Sequence, residues 1–190
     1  MIGKRMRPLW AVLLGLVLIG CTGMPEGIQP VTGFEQSRYL GTWHEIARLD
    51  HSFERGLSAV TASYSLKDNG EIRVINRGFD AESESWKEAE GRAQFVDNPT
   101  VAHLKVSFFG PFFGSYVVFE LGEEYDYAFI SGYNTSYAWL LARTPQVSDE
   151  IKQRFERRLG ELGFSTDELI WPETQLPDET PPGIEASAAR

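Results

Sequence analysis

The sequence predicts an all-β protein: an eight-stranded antiparallel up-and-down β-barrel with one C-terminal α-helix packed outside. Two observations favour this fold. Eight short segments with β-type patterning follow one another, and turn signals such as Asp68-Asn69-Gly70 separate them. Most connections between these segments are short, which makes consecutive strands neighbours in a meander, and eight strands are enough to close a small barrel.

The predicted strands are rich in β-branched and aromatic residues and are bounded by turn-forming residues. They span residues 43–49, 59–66, 71–79, 86–96, 101–108, 115–121, 127–132 and 137–142. A last short strand is predicted at 169–171.

One helix is predicted after the eighth strand. Ser148 is suited to cap it, Asp149 and Glu150 favour its first turn, and Gly163 ends it. Its apolar residues recur at i, i+4, i+8 and i+11, the spacing of one helix face. They are Ile151, Phe155, Leu159 and Leu162. This stripe predicts that the helix packs against the outside of the barrel.

The first 20 residues have the pattern of a secretory signal peptide. Lys4, Arg5 and Arg7 precede an uncharged apolar run over 9–20, and Cys21, the one cysteine of the chain, follows it. The run is shorter than the roughly 20 apolar residues that a membrane span needs. The alternative, a buried free thiol at the end of a hydrophobic helix, leaves the flanking charges and small residues unexplained. A single cysteine also excludes an intrachain disulfide.

Composition indicates one domain with an acidic surface. The chain has 190 residues and a net charge of −9, and removal of the three basic residues of the leader makes it −12. Such a charge argues against nucleic-acid binding and against electrostatic adhesion to anionic lipids. The predicted organisation is a tether over 21–38, a barrel domain over 39–171 and a disordered tail over 172–190. Fully extended, the tether would span up to about 60 Å.

Four motifs resemble those of known proteins. Leu18-Ile19-Gly20-Cys21 resembles the lipobox of bacterial lipoproteins, in which the cysteine becomes the lipidated first residue. Gly41-Thr42-Trp43, Tyr125-Asp126-Tyr127 and Leu141-Ala142-Arg143 resemble, in order, the three motifs of the lipocalins, although the second usually reads Thr-Asp-Tyr. The run 105–114 is typical of the bacterial branch. The resemblance to bacterial outer-membrane lipoprotein lipocalins implies that Cys21 is lipidated and holds the barrel at the periplasmic face of the outer membrane.

The topology places the three lipocalin-like motifs at one end of the barrel, because alternate connections of a meander fall at opposite ends. A guanidinium over an indole face makes a favourable cation–π contact. We therefore expect Arg143 to cover Trp43 and, together with Gly41 and Asp126, to close this end in a structural role.

The other end is then the mouth of the barrel. Its loops are 51–57, 80–85, 109–114 and 133–136. The third of these carries Phe109, Phe112 and Phe113. Exposed apolar loop tips indicate contact, and ligand access, self-association and membrane contact all remain open, as does folding of these rings over the rim.

Alternation along the strands predicts which side chains face the interior. If Trp43 points inward, so do Glu45 and Ala47. The other candidates for the ligand cavity are Ala62, Tyr64, Val74, Asn76, Ala93, Phe95, Val106, Phe108, Tyr116, Val118 and Trp139. These mainly apolar and aromatic side chains suit an acyl chain, and the resemblance implies fatty acids or lysophospholipids as ligands.

Catalytic and metal-binding patterns are weak. His44, His51 and His103 have no convincing metal-ligand spacing, and neither a nucleophile elbow nor a phosphate-binding loop occurs. We expect no enzyme activity, no cofactor and no metal. The leading hypothesis is a membrane-anchored protein that stores or transports fatty acids or lysophospholipids in the envelope. The alternatives are an interaction module that forms a homodimer or docks through its Phe-rich mouth loops, and a hydrolase or isomerase built on the barrel.

Overall fold

The computed structural model describes residues 22–176, which form a closed antiparallel barrel. The predicted signal peptide, Cys21 and residues 177–190 of the predicted tail lie outside the described residues. The strands are β1 (Gly41–Leu49), β2 (Leu57–Leu66), β3 (Ile72–Asp80), β4 (Ser85–Phe95), β5 (His103–Ser107), β6 (Gly114–Leu121), β7 (Tyr127–Ser131), β8 (Ala138–Ala142) and β9 (Leu169–Ile170). The helices are α1 (Gln36–Tyr39) and α2 (Asp149–Glu161), with a 3-10 turn at Thr166–Glu168.

The strand order confirms the predicted meander. Neighbouring strands pair in the order β2 to β8, followed by β1, and β1 also pairs with β2, which closes the ring. Every predicted strand is present, and the fifth is shorter than expected because Val101 instead forms an isolated bridge with Thr32. The last strand, β9, pairs with β1 outside the ring, where Ile170 lies opposite Arg48.

Helix α2 packs on the outside of the barrel, as its apolar stripe predicts. The Ser148 hydroxyl accepts a hydrogen bond from the Ile151 amide at 3.4 Å and so caps the helix. Phe155 and Leu159 are fully buried, and the Phe155 ring lies 4.9 Å from that of Phe129 on β7. These side chains form an outer core between the helix and the sheet.

A β-bulge in β1 changes which of its side chains face the interior. The pairing of β1 with β8 shifts register between Glu45 and Ala47. Because side chains alternate with a period of two, those beyond the bulge exchange sides. Arg48 therefore lies opposite Trp139 of the inner core, whereas Ala47 belongs to the outer core beneath α2. The prediction of Ala47 as a cavity residue is wrong for this reason.

Much of the segment predicted as a tether packs against the barrel. Ile28 joins the outer core, and Phe34 is buried in the inner core. Between them, the Val31 amide donates to the Val118 carbonyl, and the Ala102 amide donates to the Val31 carbonyl, both at 2.9 Å. The segment is therefore not a fully extended tether. Its apolar residues lie in a stretch that is otherwise rich in glycine, proline and polar residues.

Arg143 covers the end of the barrel at which β1 begins. Its guanidinium carbon lies 3.9 Å from the centroid of the Trp43 ring, and Trp43 is fully buried. The guanidinium donates hydrogen bonds to backbone carbonyls of Arg38, Leu40, Thr42 and Tyr125. Gly41 has a φ of +95°, and a Cβ there would lie 3.3 Å from Nη1 of Arg143. Asp126 contributes its carbonyl, which accepts from the Arg143 amide, while its side chain is exposed.

Substitution of Arg143 tests how much this end contributes to stability. Arg143→Lys keeps the charge but cannot supply hydrogen bonds to all of these carbonyls, and the free energy of unfolding should fall by about 2 to 4 kcal/mol. Urea unfolding followed by tryptophan fluorescence measures the change. Arg157→Lys, at an exposed position of α2, is the matched control and should change stability by less than about 0.5 kcal/mol. Equal stability of the two variants would contradict this role.

Candidate functional site

The inner core brings together most of the side chains expected to face the interior. Those in it, or packed against it, are Ala62, Tyr64, Val74, Ala93, Phe95, Val106, Phe108, Tyr116, Val118 and Trp139. Asn76 lies on the same face of β3 as Val74, and its side-chain oxygen is buried without a hydrogen-bond partner among the described residues. A ligand inside the barrel therefore meets a mainly apolar lining.

Aromatic side chains fill the half of the barrel near the closed end. The Tyr116 hydroxyl lies 2.7 Å from that of Tyr39 and 2.9 Å from that of Tyr64, within hydrogen-bond distance of both. Burial raises the pKa of Tyr116 well above its ordinary value, so its hydroxyl stays neutral. The cavity lined by these tyrosines, Phe34 and Ile72 encloses about 10 Å³, which is room for about one water molecule. A ligand therefore lies nearer the mouth unless these rings move.

The inner face of β4 carries small side chains and opens toward the mouth. Ala89, Gly91 and Ala93 share this face, and Ala89 is exposed to solvent. The Phe108 ring packs so closely on Gly91 that a Cβ there would lie 2.8 Å from it. A groove of about 240 Å³ beside this contact is open to solvent, and its lining includes Arg92 of the outer wall. Phe108 thus fills space over the small side chains, and a ligand there has to displace its ring.

A buried charged network lies beneath the loop between β1 and β2. Arg48 donates a hydrogen bond to the carboxyl group of Glu45, and both side chains are 2% exposed. A guanidinium nitrogen of Arg48 also donates to the Glu54 carbonyl at 2.9 Å and to the Leu57 carbonyl at 3.2 Å. Arg48 therefore ties loop 50–56 to the barrel wall. Of this network the sequence predicted only the inward direction of Glu45, because the bulge that turns Arg48 inward leaves no local sequence signal.

Glu54 joins this network to aromatic side chains of the mouth. Its Oε2 lies 3.0 Å from Nε2 of His51 and accepts a hydrogen bond from the Trp139 indole at 3.0 Å. The His51 ring in turn lies 5.1 Å from that of Trp139 and 5.6 Å from that of Phe53. These contacts hold the β1–β2 loop against β8.

The two carboxyl groups of the network have opposite pKa shifts. Burial, followed by the nearby charge of Glu54, raises the pKa of Glu45 well above its ordinary value. Burial also acts on Glu54, but the contact with His51 and the hydrogen bond from Trp139 outweigh it and lower the Glu54 pKa. The network therefore favours a proton on Glu45, which still accepts a hydrogen bond from Arg48, and an ionised Glu54 beside His51.

Four large apolar side chains are exposed on three of the mouth loops. They are Phe53 (70% exposed), Phe109 (73%), Phe112 (69%) and Tyr133 (38%), and we call them the aromatic rim. Phe113 differs from its neighbours, because its ring lies against the outer wall between two cations. It is 5.2 Å from the guanidinium of Arg92 and 5.1 Å from Nζ of Lys105. Phe113 is therefore a wall contact rather than an exposed loop tip.

The three histidines lie apart from one another in sequence and structure. His44 is on β1, His51 is in the β1–β2 loop and His103 begins β5. Within residues 22–176, no group of three or more metal-binding side chains comes together. In the same part of the chain, no helix has the length and apolarity needed to cross a membrane.

Comparisons with known proteins agree with this architecture. The sequence model of the Lipocalin-like domain matches residues 34–174. The chain is 56% identical over 171 residues to the outer membrane lipoprotein Blc of Vibrio cholerae, covering 90% of this chain and 100% of that protein. It is 46% identical over 170 residues to the protein of the same name in Escherichia coli strain K12, covering 88% and 96%. The structure of insecticyanin from the tobacco hornworm Manduca sexta matches with a TM-score of 0.64 at 19% identity, over 80% of this chain and 87% of that one, which shows a shared fold.

The opposite pKa shifts predict opposite effects of removing each carboxyl group. Because the pKa of Glu45 is raised, the wild type loses stability as the pH rises above about 4.3, the ordinary glutamate value. Glu45→Gln removes this loss, so its stability relative to wild type should increase with pH. Because the pKa of Glu54 is lowered, its ionised form stabilises the wild type, and this stability is lost as the pH falls. Glu54→Gln should therefore become less stable relative to wild type as the pH rises.

Urea unfolding between about pH 3 and about pH 8 measures these two slopes, that of Glu54 below about pH 5 and that of Glu45 above about pH 4. Glu156→Gln, at an exposed position of α2, is the control for loss of a surface carboxyl group. Slopes of the same sign for Glu45→Gln and Glu54→Gln would contradict this assignment.

Proposed function

This chain belongs to the lipocalin-like family, and on that basis we propose that it is a lipid-binding lipoprotein of the bacterial cell envelope. It stores or transports fatty acids or lysophospholipids from an anchor at the periplasmic face of the outer membrane. One combined observation carries the proposal: an eight-stranded barrel with an apolar inner core, in a chain similar over nearly its whole length to proteins named outer membrane lipoproteins.

The inner core suits a single acyl chain whose polar end stays at the mouth. The lining is apolar along β3 and β4, and burial of an unpaired carboxylate or phosphate would be costly. Small side chains at Ala89 and Gly91 leave space once the Phe108 ring moves aside. The ligand therefore enters from the mouth with its tail toward the tyrosines of the closed end.

Cys21 supplies the anchor in this proposal. It ends a lipobox-like stretch, and the names of the relatives support lipidation and an outer-membrane location. Each buried CH₂ of an acyl chain contributes about 0.8 kcal/mol, so two or more chains hold an acidic protein on a membrane without help from positive charge. The first described residue, Thr22, follows directly.

Binding rather than catalysis is the activity we propose. The buried charged network is occupied in holding the β1–β2 loop, since Arg48 already bonds Glu45, the Glu54 carbonyl of the loop and the Leu57 carbonyl at the start of β2. An alternative function is favoured by the exposure of Phe109 and Phe112. In it, the protein is an envelope interaction module that dimerises or docks through these loops, and ligand binding is incidental.

A bulky side chain on the inner face of β4 should block the barrel. Ala89→Trp places an indole at an exposed, inward-facing position, so the fold should tolerate it while affinity for a fatty acid falls by at least about tenfold. Displacement of a fluorescent fatty acid measures the affinity. The control is Glu88→Trp on the neighbouring outward-facing position, which is also exposed and should bind like wild type. Equal binding by both variants, or none by wild type, would refute binding inside the barrel.

Loss of the cysteine should detach the protein from the outer membrane. Cys21→Ser removes the thiol that accepts the lipid, and the variant should be absent from the outer-membrane fraction after cell fractionation. Mass spectrometry of the wild-type N-terminus should show acyl chains on Cys21. A Cys21→Ser variant that stays in the outer membrane would disprove this anchor while leaving ligand binding to be judged separately.

A further inference from the structure

Most large apolar side chains exposed on the described residues lie at the mouth. The aromatic rim accounts for four of six, and the others are Leu66 beside the β2–β3 turn and Trp171 after β9. Strand order places the β5–β6, β7–β8 and β1–β2 loops side by side around the barrel. The rim therefore covers one continuous side of the mouth.

The remaining mouth loop has the opposite character. The β3–β4 loop carries exposed Glu82 and Glu84, next to Asp80 at the end of β3. Anionic headgroups repel such a loop, whereas aromatic side chains favour the interface between lipid and water. The mouth thus has an aromatic side and an acidic side, and only the first suits contact with a lipid surface.

Packing holds part of the aromatic rim in place. Ring contacts run from Phe53 to His51 at 5.6 Å, from His51 to Tyr137 at 5.9 Å and from Tyr137 to Tyr133 at 5.4 Å. They join the β1–β2 loop to the β7–β8 loop. Side chains that are already ordered lose less conformational entropy when they bind.

The N-terminal segment contacts the barrel beside β5 and β6, where Val31 exchanges backbone hydrogen bonds with Ala102 and Val118. Ala102 directly precedes β5, at the end of that strand away from the mouth. Further along the same strand toward the mouth, Lys105 contacts Phe113 of the β5–β6 loop. The segment that follows Cys21 therefore joins the barrel on the wall that leads to Phe109 and Phe112.

We infer that the aromatic rim docks on the lipid bilayer that holds the anchor, with the acidic β3–β4 loop turned away from the lipid. This inference rests on the anchor of the proposed function, but it adds a contact surface and an orientation that the anchor alone does not require. Arg92 and Lys105, which flank Phe113, then lie on the side that faces the lipid phosphates.

Single fluorophores on the acylated full chain test this orientation. Acylation consumes the thiol of Cys21, so a cysteine introduced elsewhere is the one free thiol of the lipoprotein. Phe112→Cys probes the aromatic rim, Glu82→Cys probes the acidic loop of the same mouth, and Leu66→Cys probes an exposed apolar position at the closed end. Each is labelled with an environment-sensitive dye and reconstituted in vesicles of phosphatidylethanolamine with a minority of phosphatidylglycerol.

Docking predicts a reciprocal quenching pattern. The label at position 112 should be quenched several-fold more by nitroxide-bearing lipids than by aqueous iodide, and the labels at 82 and 66 should show the reverse. Iodide access at 112 equal to that at 66 overturns the inference. So does shielding of position 112 that grows with the protein density in the vesicles, because a second copy of the chain then covers the rim.

Two measurements on the same samples separate this inference from the proposed function. Fluorescent fatty acid titration tests binding in the barrel, and the intact mass tests acylation of Cys21. Normal binding and acylation with a water-exposed label at 112 reject the orientation alone. An unacylated Cys21 rejects the anchor and this orientation with it, and loss of ligand binding with a lipid-embedded label rejects the ligand proposal alone.

Discussion

The sealed end of the barrel is the constraint on which the rest of the structure depends. Hydrogen bonds close a β-barrel around its circumference but not at its ends, where carbonyls at the strand termini need other partners. Arg143 meets this need, because one planar cation donates to several carbonyls while it covers the buried Trp43. With this end filled, the interior meets solvent at the opposite end, where Ala89 is exposed on the inner face of β4.

Alternation and turn chemistry were sufficient to predict the strands, their order and helix α2, because each depends on neighbours in sequence. The errors lie where tertiary contacts decide. The bulge after Glu45 is set by pairing with β8 and by the buried partners of Arg48, so Ala47 was placed on the wrong face. Likewise, the Phe113 ring lies on the outer wall because the cationic side chains of Arg92 on β4 and Lys105 on β5 contact it.

The N-terminal segment is a second place where tertiary contacts, rather than local sequence, decide the structure. Its composition is that of a linker, and only the partners of Ile28, Val31 and Phe34 reveal that it packs along the barrel. A long free tether would let the barrel take any orientation on the membrane. A segment packed from Ile28 onward leaves far less freedom. The fold, rather than a free linker, would then limit how an anchor at Cys21 is placed relative to the mouth.

The buried charged network connects the aromatic rim to the interior of the barrel. A buried charge often adds little net stability, because desolvation offsets its attractions, so the value of Arg48 lies in the arrangement that it imposes. Arg48 holds one carbonyl of the β1–β2 loop and one at the start of β2, and Glu54 aligns His51 and Trp139. Apolar replacements could fill the same volume, but they would release the loop. Phe53 projects from this loop, so its exposed position depends on the charges buried beneath the loop. Substitutions in the interior can therefore reorient the aromatic rim without contacting the rim itself.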